Sequence, residues 1–266
     1  MKISIVTPSY NQGEFLEETI DSVLSQGVGD VEYIIMDGGS TDNSVEIIKK
    51  YEKYLHYWQS KPDGGQTEAI NQGFKHASGD ILCYLNSDDV YFPGVFQKVV
   101  DSFSKNQSLE LLYGDNAVLY PDGRIVGKPK IAYDYDICLN AFLMIQQPSS
   151  FWSSNLYRQL EGFNEEYQFC FDYDFYLRAG LHLKGGAHNS IIHVQDLWSM
   201  FRVHDSSKTI SQKDEFSRET KILRSDHNFT FNPILRPFIK HYYLFKTLIK
   251  FYQQRGVIPL RSGSGY

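Results

Sequence analysis

The sequence predicts an α/β fold: a mainly parallel sheet flanked by helices on both faces, followed by a helical C-terminal extension. Three observations carry this. Short apolar, β-rich runs alternate with runs at helical spacing through the first half of the chain, the pattern of parallel strands linked by helices. Clusters of Asp, Asn, Ser and Gly close three of the expected strands. The composition, 42% hydrophobic and 22% charged over 266 residues, supports a sizeable core and excludes disorder of the whole chain.

The elements follow in order. Ile3–Thr7 reads as a short apolar strand ending at Pro8, and 14–26 carries Phe15, Leu16, Ile20, Val23 and Leu24 at helical spacing. Residues 31–36 form a second buried strand, closed by Asp37-Gly38-Gly39-Ser40-Thr41-Asp42. Ser40 or Thr41 can cap the helix expected over 43–54. A strand near 57–60 runs through Pro62-Asp63-Gly64-Gly65 into a helix over 66–77. Residues 81–85 make a fourth strand, ending in Asn86-Ser87-Asp88-Asp89, and a helix over 94–104 and a strand over 110–113 complete the alternation. Beyond Tyr113 the pattern loosens. Residues 117–120 and 124–127 flank Pro121-Asp122-Gly123 as a hairpin, 172–181 reads as a helix, and 191–194 and 198–203 read as two strands.

The net charge of −6 is unevenly divided. Six of the 26 basic residues and none of the 32 acidic ones lie after Asp226, leaving −12 on the body and +6 on the tail. An acidic body argues against a general nucleic-acid binder, and the basic end points to an anionic partner. Three widely spaced cysteines without a CxxC pair suggest neither a disulfide framework nor a zinc cluster, and fit a reducing compartment. The first apolar run is too short for a signal peptide, and no stretch reaches the 18 or so residues of a membrane span. The expected location is cytoplasmic, or peripheral on the inner face of the cell membrane.

In open parallel sheets, ligands bind beyond the carboxyl ends of the strands. Thr7-Pro8-Ser9-Tyr10-Asn11, Asp37-Gly38-Gly39-Ser40 and Asn86-Ser87-Asp88-Asp89 all fall there. Each alone reads equally as a turn or helix cap. Together they place acids, amides and hydroxyls around one crevice. Adjacent carboxylates at Asp88 and Asp89 repel unless a cation or donor balances them, and oxygen ligands suit Mg²⁺ or Mn²⁺ shared with substrate phosphates.

On these residues the chain resembles a family 2 inverting glycosyltransferase of the GT-A fold, a Rossmann-like nucleotide-diphospho-sugar transferase of the bacterial polysaccharide and O-antigen type. The remaining matching pieces are Pro62-Asp63-Gly64-Gly65-Gln66 with Ala69-Ile70-Asn71-Gln72-Gly73, Gln147-Pro148-Ser149-Ser150-Phe151-Trp152, and Phe171-Asp172-Tyr173-Asp174 with Arg178. They run in family order across roughly 3–208.

The resemblance implies a division of labour. Thr7, Pro8 and Tyr10 pack on a uracil, and Asp37 accepts a hydrogen bond from its ring nitrogen. Asn86, Ser87 and Asp88 stand where the family has its DxD motif, with Asn86 replacing the first acid. Asp88, with Asp89 and His204, is expected to hold Mn²⁺ or Mg²⁺, while Arg202 and Lys208 meet the diphosphate. Asp172 takes the position of the general base. Asp172 and Asp174, two residues apart on one helix, face different ways, so one serves the site while the other caps the helix or pairs, with Arg178 at i+4 as a partner. The implied substrates are a UDP-sugar donor and a glycan acceptor carried on a polyprenyl diphosphate, in cell-surface polysaccharide synthesis.

Other classes fit less well. A nucleotidyltransferase that forms sugar nucleotides needs a Gly-rich basic loop, which 7–13 is not. A glycoside hydrolase needs two opposed carboxylates, unlike the adjacent Asp88 and Asp89. A non-catalytic sugar-binding module has no need of Asp88, Asp172 and Arg178 together.

The expected organisation is a catalytic domain over 1–226, its nucleotide-binding half ending near 115 and its acceptor-binding half covering 116–226. A basic aromatic extension follows over 227–266. Within it, 235–253 places Leu235, Phe238, Tyr242, Phe245, Leu248, Ile249 and Tyr252 on one helical face and Arg236, Lys240, Lys246 and Lys250 on the other. Such a helix suits an anionic membrane surface, and equally suits docking on the acidic body.

Overall fold

The computed structural model describes residues 1–227 apart from 129, 131, 141, 185–189 and 206, together with 241 and 245; at 209 and 210 it describes the backbone alone. The expected basic helix over 235–253 lies outside these residues except at His241 and Phe245, and so does the terminal 261–266. Among the described residues, no helix is long and apolar enough to cross a membrane.

The first half builds one side of the sheet. Strands β1 (Ile3–Ser9), β2 (Val31–Asp37), β3 (Tyr57–Ser60) and β4 (Ile81–Tyr84) run parallel in the order β3-β2-β1-β4. They are joined by α1 (Leu16–Leu24), α2 (Ser44–Tyr51), and α3 (Gln66–Phe74). Beyond β4 come the short β5 (Val90–Tyr91) and α4 (Val95–Lys105), then β6 (Leu111–Leu119), β7 (Ile125–Lys128), α5 (Tyr135–Asn140), β8 (Ser150–Ser153), α6 (Ser154–Gln159), α7 (Phe171–Leu183), β9 (Ile191–Arg202), α8 (Lys208–Ser211) and α9 (Lys213–Asp226). β8 inserts antiparallel between β4 and β6, and β9 runs parallel to β6 and carries β5 at its edge. The antiparallel ladders are two to four residues long, so the nine-stranded sheet of the described residues is mostly parallel.

Alternation along the central strands divides the core in two. Val6, Ile34, Met36, Leu82 and Tyr84 point to one face, where α3 and α7 cover them. Ile3, Ile5, Tyr33, Ile35, Ile81 and Cys83 point to the other, beneath α1, α2 and α4. The apolar stripe of each helix is spent on its own face of the sheet, which leaves the strand ends to polar residues.

Three expectations change. The runs 110–113 and 117–120 are one strand, β6, and 191–194 and 198–203 are one strand, β9. The polar pair Gln195 and Asp196 reads as a break, but the ladder absorbs it through register shifts around Asp115. Ser40 and Thr41 do not cap α2: Ser40 is drawn to Asp37, and the Ser44 N–H at the start of α2 is met by Asp42 at 3.0 Å. Residues Asn86–Asp89 do not cap α4 either, since β5 intervenes and the α4 N-cap is Gly94.

Candidate active site

Parallel pairing of β1 with β2 sets Ser9 opposite Asp37, so the two polar strand ends lie side by side. Asp37 is 1% exposed and organises the turn after β2. Its Oδ2 accepts the Gly39 N–H at 3.1 Å, the Ser40 N–H at 2.9 Å and the Ser60 hydroxyl at 2.6 Å, while Oδ1 accepts the Ser40 hydroxyl at 2.5 Å. Gly39 makes this turn at φ +84°, and a Cβ there would lie 3.1 Å from the Pro62 nitrogen. Asn11 ties the β1 end to the same turn by accepting the Thr41 N–H at 2.8 Å.

Beside this turn a slot opens between two side chains. A Cβ on Gly38 would lie 3.1 Å from Asp63 Oδ2 and 3.4 Å from the Tyr10 ring. Tyr10 is 61% exposed, so its ring is free to meet a planar group. Pro8, two residues before it on β1, is buried. Thr7 turns away, with its hydroxyl fully buried 3.0 Å from that of Tyr33; it supports the strand rather than lining the slot. Burial raises the Asp63 carboxyl above its ordinary value, and Glu68 and Asp37 add to the effect. Asp63 sits in the Pro62-Asp63-Gly64-Gly65-Gln66 motif, to which the resemblance assigns no site residue.

A second polar group gathers at the end of β4. Asp88 Oδ2 lies 2.9 Å from His204 Nε2, both side chains being largely buried. Ser87 is buried between Asn86 and Asp88. Asp89 does not join this pair outward. It is fully buried, its Oδ1 accepts the Arg202 N–H at 3.0 Å, and Oδ2 meets the Asn86 amide at 3.4 Å. Burial first, and the Asp88 charge second, push its carboxyl well above the ordinary range.

Arg202 also departs from expectation. Its Nε donates to the Asp88 carbonyl at 3.0 Å, its guanidinium pairs with Glu18, and it lies 5.0 Å from the centre of the Phe15 ring. It braces the acidic loop from behind. Lys208 stands at the cleft side, donating to Gln66 Oε1 at 3.1 Å; Gln66 in turn donates to Asn86 Oδ1 at 2.7 Å. Burial lowers the Lys208 ammonium from its usual value.

Asp172 lies in the first turn of α7, half-buried, with Oδ1 accepting the Tyr173 N–H at 2.7 Å. Burial raises its carboxyl to about 6, against the opposing pull of backbone donors. Asp174 takes the pairing role expected of one acid: Oδ2 meets Arg178 Nε at 2.6 Å, and Oδ1 meets His227 Nε2 at 3.0 Å. Arg178 also donates to the Leu160 and Gly162 carbonyls at 2.6 and 2.9 Å. Asp174 and Arg178 therefore build the helix junction, and Asp172 takes no part in that pairing.

An exposed ring beside a glycine slot, an acid–imidazole pair and a raised carboxylate at the start of α7 suit a phosphorylated donor and a hydroxyl acceptor. Comparison with known proteins agrees. Residues 4–112 match the family model described as Glycosyl transferase family 2. An uncharacterized glycosyltransferase of Mycobacterium tuberculosis is 34% identical over 185 residues, 67% of this chain and 69% of that protein. The chain belongs to glycosyl transferase family 2.

Other family 2 relatives include a chondroitin synthase of Pasteurella multocida, 29% identical over 198 residues; these are 72% of this chain but 20% of the synthase. Among solved structures, Staphylococcus aureus TarS (residues 1–349) in complex with UDP-GlcNAc aligns with a TM-score of 0.66 at 19% identity, over 96% of this chain and 75% of that one. The mannosyltransferase PcManGT of Pyrobaculum calidifontis, in complex with GDP-Man and Mn²⁺, aligns with a TM-score of 0.61 at 12% identity, over 97% and 76%. These likenesses establish the GT-A fold. As a family 2 member, the chain is a glycosyltransferase that uses a nucleotide-sugar donor.

Proposed function

We propose that this transferase inverts the anomeric carbon as it moves a sugar from a UDP-sugar to a hydroxyl of a lipid-linked glycan, in the synthesis of cell-surface polysaccharide such as O-antigen. The observation that carries this reading is Asp172, a carboxylate raised to about 6 at the start of α7 while its neighbour Asp174 is committed to Arg178. A base poised there is ionised at neutral pH yet basic enough to take a proton.

The donor lies across the strand ends. The uracil stacks on Tyr10 over the Gly38 backbone, supported by Pro8 and, from beneath, Thr7. Asp37 Oδ1, whose one donor among the described contacts is the Ser40 hydroxyl, has room to accept the ring N–H. The diphosphate lies along Asn86-Ser87-Asp88 towards Lys208, and Arg202 keeps that loop in place.

Asp88 and His204 fit a divalent cation such as Mn²⁺ or Mg²⁺. Their carboxylate oxygen and imidazole nitrogen are compatible donors, and phosphate oxygens would complete the shell, since among the described residues no three His, Cys, Asp or Glu gather as a cage. When bound, the ion supplies charge stabilisation to the departing diphosphate. Asp89 faces inward and supports Asp88 from behind.

In the reaction, the acceptor oxygen attacks the anomeric carbon as the bond to the UDP oxygen breaks. Asp172 takes the acceptor's hydroxyl proton, and the diphosphate leaves carrying the electron pair. One displacement inverts the configuration, and no covalent enzyme intermediate is needed. Product anomeric configuration by NMR, together with UDP release that depends on acceptor and on added Mn²⁺ or Mg²⁺, tests this. Retained configuration, or release indifferent to acceptor, would overturn it. The basic residues after Asp226 hold the enzyme at the anionic inner face of the membrane, where a polyprenyl-diphosphate-linked acceptor resides.

A further inference from the structure

Three successive backbone N–H groups, from Gln168, Phe169 and Cys170, lead directly into α7 and its Asp172. None of them is met by a side chain of its own loop. Instead Glu219, on α9 and some fifty residues further along the chain, accepts all three: Oε1 takes Gln168 at 2.7 Å, and Oε2 takes Phe169 and Cys170 at 2.6 Å each. The N-cap residue of α7, Cys170, makes no side-chain cap bond. The Glu219 carboxylate instead holds the N–H groups of the approach and of the N-cap residue itself, at the end of the helix where negative charge is favoured.

The rest of α9 reinforces this grip. Thr220 Oγ1 lies 3.2 Å from Cys170 Sγ, Arg224 donates to the Tyr173 hydroxyl at 3.1 Å, and the Tyr167 hydroxyl donates to Asp226 at 2.7 Å. Every one of these contacts falls within 167–173. A polar, mostly exposed helix thus spends its bonds on the segment that aims one carboxylate.

We propose that Glu219 is a positioning residue for the transfer reaction, fixing the approach to α7 so that Asp172 stands where the acceptor hydroxyl arrives. The inference rests on Asp172 being the base. Around Asp172 stand Tyr84 from β4, Tyr176 from its own helix, the Cys170 thiol and Glu219. The charge of Glu219 adds to the burial that raises the Asp172 carboxyl. Glu219 therefore acts on both the placement and the basicity of Asp172.

The test compares Glu219→Gln, Glu219→Asp and Asp172→Asn in the full-length protein, each checked for folding by thermal melting and for UDP binding by calorimetry. Glu219→Gln is expected to lower kcat by roughly tenfold to a hundredfold with donor KM unchanged, because misplacement of a reacting group is felt in turnover. The acid limb of its kcat profile should move to lower pH. Glu219→Asp should keep that limb and recover part of kcat. If Asp172→Asn is inactive while Glu219→Gln shows the parent kcat and pH profile, the positioning role is overturned. If Asp172→Asn itself turns over normally, the base assignment falls, and the role of Glu219 falls with it. Should Glu219→Gln fail to fold, Glu219→Asp carries the comparison, and a folded variant with unchanged kcat overturns the role.

Discussion

At the scale of single residues, the site is governed by how each carboxylate is occupied. Oδ2 of Asp37 is filled by turn donors, while Asp174 is occupied by Arg178 and His227, and Asp89 by the Arg202 amide and Asn86. Asp172 has one backbone donor named on its own helix and a carboxyl raised to about 6. With the ionised form as the base of the proposed mechanism, transfer should fall about tenfold per pH unit below that value and level off above it. A pH profile of kcat measures this, and a profile flat down to pH 4 would exclude Asp172 as the titrating group. Asn86 makes the complementary point. Its amide donates to buried Asp89 and accepts from Gln66, whereas an acid there would add a carboxylate against one already raised by burial. Asn86→Asp should therefore cost roughly 1–3 kcal/mol of stability, read as a lowered denaturation midpoint at pH 7.

Such occupancies are poorly legible in a sequence. The resemblance to the family brought Asp88, His204 and Asp172 to notice. It could not show that Asp89 and Arg202 turn behind the loop, because which side of a strand end faces the crevice depends on partners far along the chain. Thr7 is the same case: it occupies a strand end, yet points to Tyr33.

At the scale of elements, legibility follows locality. The alternating strands and helices up to Tyr113 each announce themselves through their own apolar period, and they form close to where they are expected. α9 does not. Its sequence, Lys213–Asp226, packs only Phe216 and Leu223 as apolar residues against the core and spends most of its other contacts on polar bonds to the α7 approach, so its apolar stripe is thin. Glu32 shows how strongly polar contacts can bind strands together. On β2 it accepts the Ser4 hydroxyl of β1 at 2.6 Å, the Lys2 ammonium at 2.9 Å, and the Ser78 N–H and hydroxyl at 2.7 and 2.6 Å. Burial alone would raise this carboxyl, but the donors outweigh it and hold it at about 2, below the ordinary 4.5. A depressed folded-state value means that the ionised form stabilises the fold above pH 4.5, and that this contribution is lost as pH falls towards 2. The difference amounts to about 3 kcal/mol. Glu32→Gln should be less stable than the parent near pH 7, and the gap should close between pH 4.5 and 2; denaturant titrations across that range measure it, and a gap independent of pH would contradict the assignment.

At the scale of the whole molecule, the division of charge matters more than its sum. An acidic body of −12 is repelled by an anionic bilayer, while the +6 after Asp226 is attracted to it. Near such a surface each Lys or Arg contributes on the order of 1 kcal/mol, so the tail's attraction is several kcal/mol at most, and it fades within a Debye length of about 8 Å at physiological salt. Attachment through the tail would therefore leave the body and its cleft outside the headgroups, facing an acceptor that protrudes from the membrane. The expected outcome is that the full chain sediments with phosphatidylglycerol vesicles at low salt, is released near 0.5 M salt (where the Debye length is roughly 4 Å), and ignores phosphatidylcholine vesicles. A chain ending at His227, which keeps the bond to Asp174, should lose sedimentation while still transferring sugar to a water-soluble acceptor. Equal sedimentation of both chains would place any membrane contact on the body instead. Absence of sedimentation in the full chain would mean that the basic residues meet the acidic body of the protein itself.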